Sequence, residues 1–260
     1  MKRYETSVGQ VLPWRIPVIL RVDGRAFHTL TRGYEKPFDG RITNAMHAVA
    51  SELLQEVAGA VMAYVQSDEI SVLMLSDKSL NTQPWFGNTV AKIISVGAGI
   101  ATSAFNEDLV QLEGKRRLGQ FDARAFSVPP EDVNNYFLWR QQDAVRNSIQ
   151  GVGQAHFSHR QLQNVSCKEI QEMLWSEHNI NWNDYPDDEK RGWVLLKGGR
   201  VDTPDFGKEP DFVHCLLNHL DMEAWRSGER SVEDLMKMAR FMSLEDFMEA
   251  AAKISQPSVG

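Results

Sequence analysis

Two short polar interruptions constrain most strongly what this chain can fold into. PVILRV, residues 17–22, is an apolar run that stops at Asp23-Gly24; residues 60–66 and 69–75 are two further apolar runs divided by Ser67-Asp68. Runs of this kind, bounded by Gly, Asp or Ser, predict strands, and a pair around a two-residue break predicts a hairpin. Between them, Ile42, Met46, Val49, Leu53 and Val57 recur at spacings of three and four behind Asp39, which predicts a helix over 39–57 with Asp39 as N-cap. Residues 87–105 predict a second helix, with small residues for close packing. FDARAFSV, 121–128, predicts a fourth strand, ended by Pro129-Pro130.

The order is β-α-β-β-α-β. It predicts an α+β fold: a palm-like antiparallel sheet with both helices on one face. In the usual topology the first and third strands are central neighbours, so the end of one lies beside the start of the other. Asp23 is then expected next to Asp68 and Glu69 at one sheet edge. Residues 1–130 read as the palm-like catalytic core. Residues 131–260 read as a mostly helical extension packed on it, with helices over 131–150, 167–177, 211–225 and 231–252, an extra strand over 191–197 and a loop over 198–211.

Charge and composition narrow the function classes. A formal net charge of −7 and a pI near 5.5 argue against coating nucleic acid by bulk charge, though not against a local basic groove. Lys115-Arg116-Arg117 is more simply a solvated loop. No apolar run is long enough to span a bilayer, and MKRYETSVGQ lacks the apolar segment of a secretion signal. Cys167 and Cys215 make neither a disulfide framework nor a zinc site. A soluble, cytoplasmic protein with no membrane attachment is expected.

Two carboxylates converging at a sheet edge suit a divalent cation. Magnesium takes hard oxygen ligands and needs only one or two carboxylates when substrate phosphates supply the rest. Backbone amides at Arg25, Ala26 and Phe27, after Gly24, are candidates to wrap a triphosphate. Lys36, Arg21 and Lys92 are candidate phosphate or base contacts. Glu69 is read as a group behind the metal ligands. His156 and His159 lack a third ligand and read as structural, as do His214 and His219. Trp139 is expected in the core, and Arg140 on either RNA or an acid. Met236, Met238, Met242 and Met248 read as ordinary helix packing.

DGRAFH at 23–28, KPFDGR at 36–41 and AYVQSDEISV at 63–72 resemble the histidine-tRNA guanylyltransferase family, whose pattern runs DGR-x-FH, KP-x-D-x-R, QSDE. FDAR at 121–124, YFLWRQQD at 136–143, SEHNINWN at 176–183 and KRGWVL at 190–195 continue the match in order. The resemblance implies an enzyme that adds nucleotides to the 5′ end of tRNA, first activating a 5′-monophosphate with ATP. The 3′-hydroxyl of GTP then attacks the activated phosphate. It implies two magnesium ions on Asp23 and Asp68 with the Gly24 carbonyl, and Ser67 and Glu69 flanking the site. Lys36 and Asp39 are placed near the nucleotide base, His28 against the nucleotide, and Arg21 and Lys92 near a second triphosphate. The family also implies a homotetramer, a dimer of dimers.

The chain departs from the family at two places. Eukaryotic members carry His-Ile-Asn-Asn-Leu-Tyr-Asn where this sequence has Val145-Arg146-Asn147-Ser148-Ile149-Gln150-Gly151, and a basic pair before Lys92 is replaced by Asn88-Thr89. This resembles the guanylyltransferase-like branch, which repairs 5′-truncated tRNAs by templated addition. The alternatives are addition of the single extra guanosine of histidine tRNA, or a non-catalytic RNA-binding protein on a decayed palm.

Overall fold

A computed structural model describes residues 9–113, 118–197, 199–201, 204–209 and 211–217. The expected order is present: β1 Val18–Gly24, a helical turn α1 Phe27–Leu30, α2 Gly40–Glu56, β2 Ala60–Gln66, β3 Glu69–Met74, α3 Val90–Glu113 and β4 Phe121–Ser127. Next come α4 Pro130–His156, α5 His159–Leu162, α6 Cys167–His178, α7 Asp187–Arg191, β5 Trp193–Leu196, β6 Gly199–Val201 and α8 Asp211–Leu217. The strands form one six-stranded sheet in the order β4-β1-β3-β2-β5-β6. Every pairing is antiparallel, with β1 between β3 and β4 as the topology rule requires.

Strand alternation sorts the sheet into two unlike faces. Val18, Leu20 and Val22 of β1 and Ile70, Val72 and Met74 of β3 join one apolar cluster with Ala45, Met46, Val49 and Leu53 of α2 and Ile93, Ala101 and Phe105 of α3. Gly97 lets α3 approach β1: a Cβ there would lie 2.9 Å from Leu20 Cδ2. The alternate residues, Arg21, Asp23, Glu69, Ser71 and Tyr64, face α4. Tyr136 of α4 meets the Ser71 hydroxyl at 2.8 Å, and its neighbour Phe137 lies edge-on to Tyr64 at 6.3 Å between centroids.

Local signals explain the helix ends. Pro130 starts α4 where a missing amide hydrogen is harmless, and Glu131 and Asp132 favour the positive end of its dipole. Ser166 and Glu169 form a reciprocal capping box on α6, which ends at left-handed Asn179. Gly192 has φ +76 and sits where a Cβ would strike the Val65 carbonyl at 2.4 Å. This glycine lets the chain after α7 lie against β2, where the Tyr64 hydroxyl donates to the Arg191 carbonyl.

Several boundaries differ from expectation. The second helix runs Val90–Glu113, and residues 85–88 form a separate turn with Phe86 and Gly87 at positive φ. The expected loop over 198–211 contains β6. Trp139 is 54% exposed rather than buried, its ring covered on one side by the Arg140 guanidinium at 4.4 Å. No helix among the described residues is long and apolar enough to cross a membrane.

The chain divides into one compact unit up to Thr203 and a second from Pro204. In the second unit, Phe206 and Phe212 pair at 6.4 Å between ring centroids. Lys115–Arg117, His219 and the expected helix over 231–252 with its methionines lie outside the described residues.

Candidate active site at the end of the central strands

The sheet register brings the predicted carboxylates together. Asp23 pairs with Glu69 across β1 and β3, and the Gly24 amide donates to the Asp68 carbonyl at 3.0 Å. Ser67, at φ +50, and Asp68 form the two-residue β2–β3 turn. Gly24 must be glycine for this approach: a Cβ would meet the Phe27 ring at 2.4 Å and Asp68 Cβ at 2.9 Å. Phe27 itself is buried, packed on Phe105 and Phe121 at 5.1 and 5.2 Å, so its ring anchors the loop and only its backbone faces a ligand.

The Asp68 carboxyl is pushed up to about 6, first by burial and then by the negative charges of Asp23 and Glu69. A divalent cation held by Asp23 and Asp68 would relieve that repulsion, and hard carboxylate oxygens are donors that suit magnesium. Among the described residues, no three His, Cys, Asp or Glu side chains converge to cage a metal alone. Two carboxylates with oxygens from a substrate phosphate meet the requirement.

Glu69 is not free to be a third ligand. Arg140 donates from Nε to Oε1 at 2.7 Å and from Nη2 to Oε2 at 2.8 Å; Arg21 Nη2 reaches Oε2 at 2.5 Å, and Gln66 Nε2 donates at 3.2 Å. Arg140 is buried, which works against its charge, but Glu69 and Asp143 outweigh this and its pKa is raised. Arg21, expected near a triphosphate, is engaged by Glu69 and lies 3.6 Å from Asp23. Of the two readings for Arg140, the structure selects the acid.

The phosphate candidates separate in the same way. The Arg25 amide donates to the Gln120 carbonyl at 2.7 Å and is therefore committed to the fold. Ala26 is left-handed, φ 55 and ψ 37, and the helical turn of Phe27 follows; such a reversal turns successive amides toward one point, a nest for anionic oxygen. His28 is exposed, its Nε2 3.0 Å from Thr29 Oγ1. Lys92 is not brought to this edge within the chain. Thr102 and Phe105 of α3 lie here, against the Phe121 amide and Phe27, while Lys92 sits about 15 Å earlier along the helix, near the Phe86 ring.

A cavity of about 580 Å³ opens beside the carboxylates. Gly24, Ala26, Phe27, His28, Lys36, Asp39, Ser67 and Asp68 line it, which gathers most of the predicted site. Asp39 braces its wall: the Glu35 amide donates to Oδ2 at 2.8 Å, and Arg41 donates from Nε to Oδ1 at 2.9 Å and from Nη2 to Oδ2 at 2.6 Å. The Arg41 guanidinium beside it holds the carboxyl down to about 2. Sequence reasoning gave no site role to the other walls, among them Met46 of α2, Asn147 and Gly151 of α4, and Glu189 and Trp193 around α7. The motif KRGWVL was the available signal for Trp193, since it marks a segment that matches the family pattern without showing what it faces.

The family model for tRNAHis guanylyltransferase matches residues 1–129. A probable tRNA(His) guanylyltransferase of Dictyostelium discoideum is 30% identical over 229 residues, covering 82% of this chain and 88% of the relative. The tRNA(His) guanylyltransferase of Debaryomyces hansenii is 32% identical over 196 residues, covering 69% and 73%. Among solved structures, a bacterial tRNA(His) guanylyltransferase-like protein in complex with ATP superposes with a TM-score of 0.81 at 44% identity, over 84% of this chain and 97% of that one. A second such structure, in complex with GTP, gives 0.71 at 39% identity, over 84% and 96%. The chain belongs to the tRNA(His) guanylyltransferase family of nucleotidyltransferases.

Proposed function

We propose that this chain is a magnesium-dependent enzyme that adds nucleotides to the 5′ end of tRNA in the 3′-to-5′ direction, each chosen by pairing with the opposite strand. The observation that carries the reading is the meeting of Asp23 and Asp68 at one sheet edge, beside a cavity that Gly24 and Asp68 line. Asp23 and Asp68 are the residues that would hold magnesium, which would supply a lowered pKa for an attacking hydroxyl and positive charge beside leaving pyrophosphate. The amides of Ala26, Phe27 and His28 bind triphosphate oxygens, and Lys36 adds a positive charge at the cavity wall. Glu69 keeps Arg21 beside Asp23 and so fixes the direction of that carboxylate.

In the activation step a 5′-monophosphate oxygen attacks the α-phosphorus of ATP and pyrophosphate leaves. In the transfer step the 3′-hydroxyl of the incoming nucleotide attacks the activated 5′-phosphate, and AMP leaves. Templated choice accords with the departure of Val145–Gly151 from the eukaryotic segment and with the neutral residues that α4 presents to the cavity, Ala144, Asn147, Ser148 and Gly151. A second reading, addition of one guanosine to histidine tRNA, is favoured by the names of the curated relatives. The family resemblance also leads us to propose a cytoplasmic tetramer.

The deciding experiment incubates tRNA lacking one or two 5′ nucleotides with magnesium, ATP and each nucleoside triphosphate in turn, read at single-nucleotide resolution. Extension by whichever nucleotide complements the opposite strand is expected. Guanosine addition irrespective of that strand would replace templating with the second reading.

A further inference from the structure

The sheet extends beyond the helix that covers its polar face. On β4, Phe121, Ala123 and Ala125 join the apolar cluster with α2 and α3. The alternate residues Asp122, Arg124 and Phe126 therefore share the face of Asp23 and Arg21, which stand opposite Asp122 and Arg124 in register. Tyr64 and Ser71 are fully buried on that face, yet Asp122 and Arg124 are exposed. α4 thus lies over β2 and β3 and leaves a strip over β1 and β4 open.

Trp139 walls the strip. The Phe126 ring meets Tyr136 at 5.6 Å between centroids, and Tyr136 meets Trp139 at 6.0 Å. The Arg140 guanidinium covers one face of the indole at 4.4 Å, and Trp139 is still 54% exposed. An aromatic ring held on one side and open on the other is a stacking platform for a base.

The charges on the strip suit an anion. Arg124 and Arg21 are directly opposite each other, and like charges so placed destabilise a sheet. Arg21 is answered by Glu69 and Asp23. The Arg124 guanidinium has no ion pair or hydrogen bond among the described residues. Arg25 adds an exposed guanidinium where the chain enters β4, donating to Gln120 Oε1 at 3.2 Å. Asp122 has the opposite sign, but it stands opposite Asp23 at the catalytic end, where a bound divalent cation would offset it.

Strip and cavity reach the carboxylates from different sides. The cavity is walled by α4 from Ala144 onward, and among the described residues none of β4 lines it. Phosphoryl transfer needs attacking and leaving oxygens roughly in line, so two substrates have to arrive from separate directions.

We infer that this strip seats the 5′ end of the RNA, with Arg124 on a backbone phosphate and the terminal base stacked on Trp139. This placement rests on the nucleotide-transfer reading and adds to it the surface on which the second substrate lies. Arg124→Gln and Trp139→Ala test it through equilibrium binding, at several salt concentrations, of a 5′-monophosphorylated tRNA lacking its first nucleotide. The same RNA made abasic at its 5′ terminus is bound in parallel, with GTP binding, thermal melting and light scattering alongside.

Arg124→Gln is expected to weaken RNA binding about fivefold and to lower the slope of log affinity against log salt by about one. Its side chain is exposed, so this result stands even where Trp139→Ala destabilises α4. Trp139→Ala is expected to weaken the intact RNA at least about fivefold and the abasic RNA less than about twofold. GTP binding should change less than about twofold in both. RNA affinity and salt slope equal to wild type in both variants would overturn the inference and leave the functional reading intact. An equal loss of intact and abasic RNA in Trp139→Ala would overturn it too, since the indole would then not hold the base. A smaller assembly with unchanged RNA affinity would show that a second copy covers the strip instead. A wild-type protein that binds no tRNA would remove the functional reading, and this inference with it.

Discussion

The two faces of the central sheet are held by different physics. Toward α2 and α3 the contacts are apolar, and Leu20, Val49, Leu53 and Phe105 are fully buried. Toward α4 the same strands present Arg21, Asp23, Glu69 and Ser71, and α4 answers with Tyr136 and Arg140. The apolar face works by volume and tolerates substitution in proportion to the cavity left behind. The polar face works by pairing, so losing one member leaves a buried charge without its counterpart. The chemistry we propose sits at the margin of the polar face, where Asp23 is 32% exposed and the pairing runs out.

The sharpest way to break that contrast is at the margin. Asp68→Ala removes a half-buried carboxylate already disfavoured by Asp23 and Glu69. It should leave thermal melting within about 2 °C of wild type while lowering single-turnover nucleotide addition by on the order of a thousandfold. Asp23→Ala should behave alike. Substantial activity in either variant would detach the chemistry from this edge.

The interior of the polar face should respond the opposite way. Arg140→Ala leaves Glu69 buried with Arg21 as its remaining cation, and is expected to destabilise the fold by about 3–5 kcal/mol. The double variant Glu69→Leu with Arg140→Met should recover part of that loss in urea unfolding, because the apolar pair needs no counter-charge while Arg21 keeps only Asp23. Its activity should stay low, since Arg21 and hence Asp23 lose their support. Leu20→Ala on the other face costs about 2–5 kcal/mol by cavity formation, with no second-site charge able to restore it. A double variant no more stable than Arg140→Ala would mean that the two faces are not physically distinct.

The same contrast marks what could be read in the sequence. The apolar face announces itself through periodicity: Ile42, Met46, Val49 and Leu53 on α2 and the runs of β1, β2 and β3 are visible one at a time. The joining of Asp23 to Asp68 and Glu69 followed from strand order, since antiparallel neighbours fix which ends meet. The polar face was less accessible. Arg140 lies 71 residues from Glu69, and nothing in the spacing of YFLWRQQD says that its arginine turns inward while Trp139 turns out. Both side chains belong to one stretch of helix, and only the angle at which α4 crosses the sheet decides between them. The Arg25 amide and Lys92 were beyond reach for a similar reason. One was committed to Gln120 across a loop, and the other was separated from the edge by the length of α3.

The smallest effect expected is at Asp39, where wall and helix cap coincide. Its carboxylate accepts from the Glu35 and Arg41 amides and from the Arg41 guanidinium, so one group closes the 35–39 loop and starts α2. Its pKa falls from the ordinary 3.8 to about 2, so the folded state favours the charged form. Stability from this group is therefore complete above about pH 4 and is lost as pH falls through the folded value near 2. Asp39→Asn keeps the capping oxygen and removes the charge. Arg41 is 45% exposed, so solvent screens the pair and the difference should be about 1 kcal/mol at neutral pH. Melting curves of the two proteins should be separated at pH 6 and converge toward pH 2. A separation that is unchanged down to pH 2 would mean that Asp39 acts through shape alone, and the charged residues at the cavity wall would then belong with the apolar face rather than the paired one.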